Sequence, residues 1–301
     1  MNNSQDPNAN WREKTFPWAA PAKLNLFLHI IGRRQDGYHL LQTLFHFIDI
    51  ADTLYFDITK TSTISLSPAI DGIANENNII VKAAKLLQAT SATNQGANIT
   101  LEKRLPMGGG LGGGSSDAAT TLLALNKLWG LNLSKTELMS LGLTLGADVP
   151  IFIYGHTAWA EGVGETLSKV SKSEIGEKNW FFVLFPKKNV NTGTIFSSSE
   201  LTRDKDPIRI RDFLNGSTEN VFEPIVAKLY PEIREALNWL NQFGDAKLTG
   251  TGACIFARFN TAQEAHAVAA QAPEKWQTFV AQGCFTTPIE ELYRSETSAQ
   301  L

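Results

Sequence analysis

Residues 106–116 read Pro-Met-Gly-Gly-Gly-Leu-Gly-Gly-Gly-Ser-Ser, and Asp117-Ala-Ala-Thr-Thr-Leu-Leu-Ala-Leu125 follows directly. Six of the seven positions from Gly108 to Gly114 are glycine. Without Cβ atoms, backbone N–H groups can close on a ligand and φ can turn positive. A helix that begins here aims its unpaired N–H groups and the positive end of its dipole at the same spot. Ser115 and Ser116 stand at that helix start and can add hydroxyl donors. The stretch predicts an anion cradle, and a phosphate chain is the anion it suits. The competing reading is a flexible linker, but linkers run on into polar, low-complexity sequence. Here Asn98–Glu102 alternates like a strand on one side, and an apolar helix follows on the other. Strand, glycine loop and helix are the context that a phosphate loop requires.

Two common phosphate loops do not match. The P-loop ends in Gly-Lys-Ser/Thr, and no lysine follows these glycines. The dinucleotide spacing G-x-G-x-x-G is met by Gly108, Gly110 and Gly113, but it expects an acidic residue closing a second strand about 20 positions later. Leu131–Glu137 instead looks like a helix start, with Ser134 and Glu137 spaced as a capping box.

Working outward, Trp18–Ile31 reads as a strand in which Leu24, Leu26, Leu28 and Ile30 alternate with Lys23, Asn25, Phe27 and His29. The alternation places Lys23 and Asn25 on one face, away from the leucines. Asp36-Gly37 signals a turn. Further strands are expected at 42–50, 53–59, 63–66 and 98–103, and helices at 78–88, 115–129 and 135–145, the last ended by Gly146. Asp148 falls in the turn beyond. Later come a buried strand at 180–186, a largely helical stretch at 222–243, strand–glycine loop–strand at 247–259 and a helix at 261–272. This order suits an α+β sandwich.

A chain of 301 residues is long for one core, so two domains sharing a cleft are expected. The net charge of −3 supplies no field to draw nucleic acid or an anionic membrane, and neither partner is expected. No apolar run approaches the roughly 18 residues of a membrane span, and the polar N-terminus lacks an apolar signal region. Cys254 and Cys284 are the only cysteines and read as reduced thiols of a cytoplasmic enzyme. The histidines and cysteines show no metal-type spacing, so no structural zinc is expected.

The loop Pro106–Ser116 closely resembles the glycine/serine motif of the galactokinase, homoserine kinase, mevalonate kinase and phosphomevalonate kinase superfamily. Pro21-Ala-Lys-Leu-Asn-Leu-Phe-Leu28 is similar to that superfamily's first motif, and Leu248-Thr-Gly-Thr-Gly-Ala-Cys-Ile-Phe256 to its third. Three motifs in order are far more specific than one. The resemblance implies a two-domain small-molecule kinase: an N-terminal domain like ribosomal protein S5 domain 2, a ferredoxin-like C-terminal domain, and the active site in the cleft between them. It suggests a tail at 1–17, an ATP-binding domain at 18–167 and a second domain at 168–301, whose last strand returns to the first.

Asp36-Gly-Tyr-His39 and Gly146-Ala-Asp-Val-Pro150 narrow the likeness to members that phosphorylate a cytidine diphosphate-linked alcohol in non-mevalonate isoprenoid synthesis. A related kinase of homoserine, mevalonate or a sugar is the alternative. ATP is the implied co-substrate, with Mg2+, whose ligands the sequence does not place; the assembly would be a monomer or homodimer. By local sequence alone Asp148 reads as a turn or capping residue; the resemblance makes it the catalytic base, with Lys23 as its catalytic partner. The resemblance assigns ATP to Pro106, Met107, Gly108, Gly109, Gly110, Leu111, Gly112, Gly113, Gly114, Ser115 and Ser116, with Asn78 and Lys103 flanking the adenine. It assigns the acceptor to Asn25, Tyr38 and His39, the tyrosine stacking on cytosine and the histidine hydrogen-bonding to it. Phe45, Thr192 and Phe196 are carried over with them, although Gly193 stands where that pattern has proline.

Overall fold

The computed structural model describes residues 10–176, 178–216 and 219–299. Strand β1 (Trp18–Arg33) turns at Arg34–Tyr38 into β2 (His39–Thr59), and the two pair antiparallel along nearly their whole length. The two strands expected at 42–50 and 53–59 are therefore one. The gap between them, Ala51 and Asp52, is closed: Asp52 is fully buried and has partners described below. β3 (Ile64–Ser67), α1 (Ile79–Ser91) and β4 (Gly96–Glu102) follow, β4 lying between β3 and the far end of β2.

Helix α2 (Gly113–Leu128) starts inside the glycine run, two residues earlier than Ser115. Every residue from Ser116 to Asn126 is buried, because α1 and residues 149–154 flank it and β1 and β2 lie beneath. Helix α3 (Lys135–Leu145) has the bounds and the Ser134–Glu137 capping box that its sequence predicts. An unexpected short helix, α4 (Val149–Tyr154), begins at Asp148 with Pro150 in its first turn, a position proline tolerates because no donor is lost there.

The hairpin β5 (Ala158–Glu161) and β6 (Thr166–Lys169) extends the sheet beside β2 and straddles residue 167. Strand β7 (Trp180–Phe185) is followed by two short helices, α5 (Thr192–Ser197) and α6 (Ile210–Leu214). The helical stretch expected at 222–243 divides into α7 (Glu223–Leu229) and α8 (Pro231–Leu240). Pro231 lacks the N–H that would continue α7 and opens the next helix instead. β8 (Lys247–Leu248) and β9 (Ile255–Phe259) enclose the second glycine loop, and α9 (Ala262–Ala269), β10 (Gln277–Cys284) and α10 (Pro288–Ala299) complete the fold.

Strands run in the order β3-β4-β2-β10-β7-β9-β8, with β1 on β2 and β5–β6 beside it. β10 joins the halves: Gln277–Gln282 pair with β7, and Gly283–Cys284 pair with β2. α10 then packs on β1, and the Tyr293 hydroxyl donates to Leu123 O in α2 at 2.9 Å. Of the tail expected at 1–17, residues 1–9 lie outside the described residues. Trp11 and Phe16 pack onto the core, with Lys127 Nζ 4.3 Å from the Trp11 ring centre.

The cores explain why β1 departs from simple alternation. One cluster takes Trp18 and Ala20 with α1–α4; the other takes Ala22, Leu24 and Leu26 with β7–β10, α7 and α8. The strand is covered on both faces, so Lys23, Asn25 and His29 are as buried as the leucines. A register shift between Asn25 and Leu28 also breaks the period of two, bringing Phe27 onto the leucine side.

At the seam, His46 Nε2 donates to Asn179 Oδ1 at 3.0 Å, Nδ1 meets Thr157 Oγ1 at 2.9 Å, and Asn179 Nδ2 donates to Gly283 O at 2.9 Å. A Cβ on Gly283 would lie 2.2 Å from both Asn179 Oδ1 and His46 Nε2. Gly283→Ala is therefore expected to cost about 1–3 kcal/mol, seen as a lower melting temperature in calorimetry; an unchanged midpoint would refute this packing.

Burial pushes His46 down to about 4. Between its ordinary value near 6.5 and about 4, the unfolded chain takes up a proton that the folded chain refuses, so stability falls as pH drops through that window. From pH 7 to pH 5 this contributes a loss of about 2 kcal/mol. Urea unfolding of His46→Gln should show a shallower pH dependence than the parent protein over that range; equal slopes would refute it.

Candidate active site

The free edge of β1 carries the site. Lys23 N donates to Leu111 O at 2.9 Å, and Asn25 N donates to Thr249 Oγ1 at 3.0 Å. One strand edge thus receives both glycine loops. Farther along, Leu28 N donates to Glu219 O, and Val221 N donates to Leu28 O.

The Lys23 side chain is 3% exposed. Its ammonium donates to Asn25 Oδ1 at 2.7 Å and to Gly110 O at 3.0 Å, and lies 3.4 Å from Asp148 Oδ2. Asp148 precedes α4 but makes no capping bond to it; its carboxylate, 40% exposed, faces Lys23 and the cavity. The capping role that local sequence favours is not the one the side chain adopts.

Gly108, Gly110 and Gly112 all have positive φ. A Cβ on Gly110 would sit 2.3 Å from Thr249 O, and one on Gly109 would sit 2.7 Å from Cys254 Sγ. Cys254 N donates to Gly109 O at 2.9 Å and Ala253 N to Gly108 O at 3.2 Å, so the second glycine loop locks onto the first. Asn220 Nδ2 holds that second loop from behind through Leu248 O and Gly250 O, both at 2.8 Å.

A buried charge cluster anchors the first loop at both ends. Asp52 accepts from Arg104 N at 2.6 Å, Leu105 N at 2.8 Å and Lys103 Nζ at 2.5 Å. Lys103 Nζ also donates to Asp117 Oδ2 at 2.9 Å, in the first turns of α2. Burial works to lower the Lys103 ammonium, but Asp117 and Asp52 outweigh it and raise it above its usual range. Burial drives Asp117 up to about 7 against the pull of Lys103.

These elements enclose a cavity of about 720 Å3. Of the residues expected at the site, Lys23, Asn25, Phe45, Asn78, Lys103, Pro106–Ser115, Asp148, Thr192 and Phe196 all line it. Asn25 Nδ2 donates to Thr43 Oγ1 at 3.0 Å, and Thr192 Oγ1 meets Thr251 Oγ1 at 2.9 Å across the opposite wall. Asn78 is more than a surface residue: it is buried, and its Oδ1 accepts from Ile80 N to cap α1.

Three expected residues lie off the wall. Ser116 is fully buried, with its hydroxyl turned inward. Tyr38 stands 66% exposed at the β1–β2 turn. His39 sits beside the wall, its ring 5.1 Å from that of Phe196.

The sequence reading missed Asp52, Asp117, Thr43, Asn220 and Arg203, whose Nε donates to His39 Nε2. Asp52 carried the same signal as Lys23, a charge within an apolar strand. The others look like routine polar residues until their distant partners are known.

Glycine loop, opposed lysine and aspartate, and a cleft between two cores define a small-molecule kinase. Residues 78–156 match the GHMP kinase N-terminal domain and residues 198–278 the GHMP kinase C-terminal domain; the chain belongs to the GHMP kinase family. It is 50% identical over 278 residues to the 4-diphosphocytidyl-2-C-methyl-D-erythritol kinase of Chromohalobacter salexigens, covering 90% of this chain and 92% of that one. It is 54% identical over 264 residues to the kinase of the same name from Ectopseudomonas mendocina, covering 88% and 89%. A crystal structure of 4-(cytidine 5'-diphospho)-2C-methyl-D-erythritol kinase superposes with a TM-score of 0.76 at 31% identity, covering 89% of this chain and 99% of that one. A mevalonate kinase structure, at 17% identity and a TM-score of 0.65 over 89% and 99% of the two chains, shares the fold.

The contact between the loops yields a direct test. Gly110→Ala combines an unfavourable φ with a collision against Thr249 O. It should separate the two loops or cost about 1–3 kcal/mol of stability. Hydrogen exchange should then show faster exchange at Ala253 and Cys254 N–H; unchanged protection with unchanged stability would contradict the geometry.

Proposed function

We propose that this kinase transfers the γ-phosphoryl group of ATP to the 2-hydroxyl of 4-diphosphocytidyl-2-C-methyl-D-erythritol, serving isoprenoid precursor synthesis. The observation that carries the proposal is the approach of Lys23 Nζ to Asp148 Oδ2, 3.4 Å apart, beside the glycine loop. Phosphoryl transfer needs little covalent help; it needs the phosphates held, their charge offset and the acceptor oxygen aligned.

In this reading Pro106–Ser115 and the start of α2 hold the triphosphate, with backbone N–H groups and the helix dipole opposing its charge. Asn78 and Lys103 border the adenine end. Lys103, already held by two carboxylates, acts there by keeping the loop in place. Asp148 accepts the proton of the acceptor hydroxyl as its oxygen bonds to the γ-phosphorus; the bond to the β-phosphate oxygen breaks and ADP leaves. Lys23 bridges the Gly110 carbonyl and Asp148, so its fixed positive charge lies where the transferring group passes.

Magnesium belongs to the proposal as the ion that neutralises the phosphates. Ser115, on the cavity wall, is the residue that would offer it a hydroxyl oxygen. Ser116 is enclosed away from that wall.

On the acceptor side, Asn25 and Thr43 line the cavity next to Lys23. Phe45, Thr192 and Phe196 form the walls toward the base, and His39 flanks Phe196. Tyr38, at the turn tip, is the ring that would fold over the base from outside.

The test is ADP release in the presence of magnesium with the cytidyl alcohol, mevalonate or homoserine as acceptor. Only the cytidyl alcohol should support turnover, and Asp148→Asn should lower kcat by about 10²–10⁴-fold. Near-full turnover by the variant would remove Asp148 from the role of base, and preference for another alcohol would overturn the substrate.

A further inference from the structure

Arg203 lies outside the cavity, behind the part of its rim that Phe196 lines, and makes four hydrogen bonds there. Nη2 donates to Phe196 O at 2.8 Å and to Ser198 O at 2.9 Å, and Nη1 donates to Leu201 O at 3.0 Å. Its Nε donates to His39 Nε2 at 3.2 Å. Three carbonyls, from the last turn of α5 and the loop after it, thus hold the guanidinium in a single orientation, with its Nε–H turned to the histidine.

A guanidinium has donors only. The His39 nitrogen facing it must therefore present a lone pair, and the single proton of the neutral ring then resides on Nδ1. Burial first, and then the Arg203 and Arg33 charges, lowers His39 below the usual histidine range, in keeping with a neutral ring. The same guanidinium also fixes the Phe196 backbone, whose ring lies 5.1 Å from the His39 ring at a tilt of 36°.

We propose that Arg203 is the positioning residue of the base subsite: it sets His39 as the Nδ1–H tautomer at a fixed distance from Phe196, so that the site offers one N–H donor beside an aromatic face to a pyrimidine. This rests on the cytidyl reading above. Ring nitrogen N3 of cytosine is an acceptor and receives such a donor, whereas N3 of uracil carries a hydrogen and opposes it. Lysine could not replace Arg203, because it cannot span three carbonyls and a ring nitrogen in one plane.

The assignment is read first on the ligand-free protein by NMR of 15N-labelled imidazole. His39 should show protonated Nδ1 and unprotonated Nε2, and Arg203→Gln should shift it toward a mixture of tautomers. A protonated Nε2 in the unaltered protein would overturn the proposal. Kinetics supply the second arm. Arg203→Ala should raise KM for the cytidyl alcohol about tenfold, the cost of one misdirected hydrogen bond, while kcat and KM for ATP stay within about twofold.

His39→Asn places an amide nitrogen near the Nδ1 position whatever its partner. In that background Arg203→Ala should therefore add less than about threefold. An undiminished effect in that background, or an equal rise in KM for ATP, would mean that Arg203 only supports the fold. Absence of turnover with the cytidyl alcohol by the unaltered protein would instead sink the proposed reaction. The tautomer spectrum decides the Arg203 assignment in either case.

Discussion

A buried ammonium at the edge of a strand needs compensation, and the compensation of Lys23 fixes the geometry of everything around it. Removing such an ion from water costs several kcal/mol unless partners replace the solvent. Its partners come from three separate parts of the chain: Asn25 within β1, Gly110 in the first glycine loop, and Asp148 after α3. The edge N–H groups of the same strand are answered by Leu111 and by Thr249, from opposite halves of the molecule. The halves are therefore joined at the site by polar groups, while the apolar cores lie to either side. The glycines follow from this, since side chains at Gly109 and Gly110 would drive the two loops apart.

Elements whose signals are local were legible in the sequence. Helix α3 carries its own cap at Ser134–Glu137, and the glycine run announces both the loop and the helix after it. What needed the folded molecule was set by distant partners. Alternation in β1 tells which side chains share a face, but it cannot say that a second core covers the other face. Strand β2 runs through Asp52 because Lys103, Arg104 and Leu105 satisfy that carboxylate from about fifty residues away. Strand β10, with glycine and polar residues among its apolar ones, is defined by pairing with β7 and β2 rather than by its own pattern.

The site divides along the same line. Lys23 and Asp148 stand out once the family's motifs are seen, and the structure brings them together. Arg203 gives no local sign, since its ring partner is His39, 164 positions away. Tyr38 and His39 are expected together at the cytosine, one stacking and one hydrogen-bonding, but Arg203 ties the histidine down while the turn leaves the tyrosine exposed. Neighbours in a turn point in different directions, and a shared motif does not give them a shared environment.

The cluster beneath the glycine loop bears on how an anion cradle tolerates carboxylates. Two carboxylates and one ammonium, all ionised, would leave a net negative charge under N–H groups suited to phosphate. Asp52 accepts two backbone N–H groups besides Lys103, so its charge is well answered. Asp117 has Lys103 alone on one oxygen and no partner on the other, and burial raises it to about 7. Below that value Asp117 holds its proton, and the base of the loop is close to neutral. Folding favours that proton, so this group contributes stability at low pH that is lost as pH rises from the ordinary carboxylate range through about 7. Below about pH 7 the cluster thus fastens both ends of the loop without setting a full negative charge against the dipole of α2, because burial favours the protonated form of Asp117.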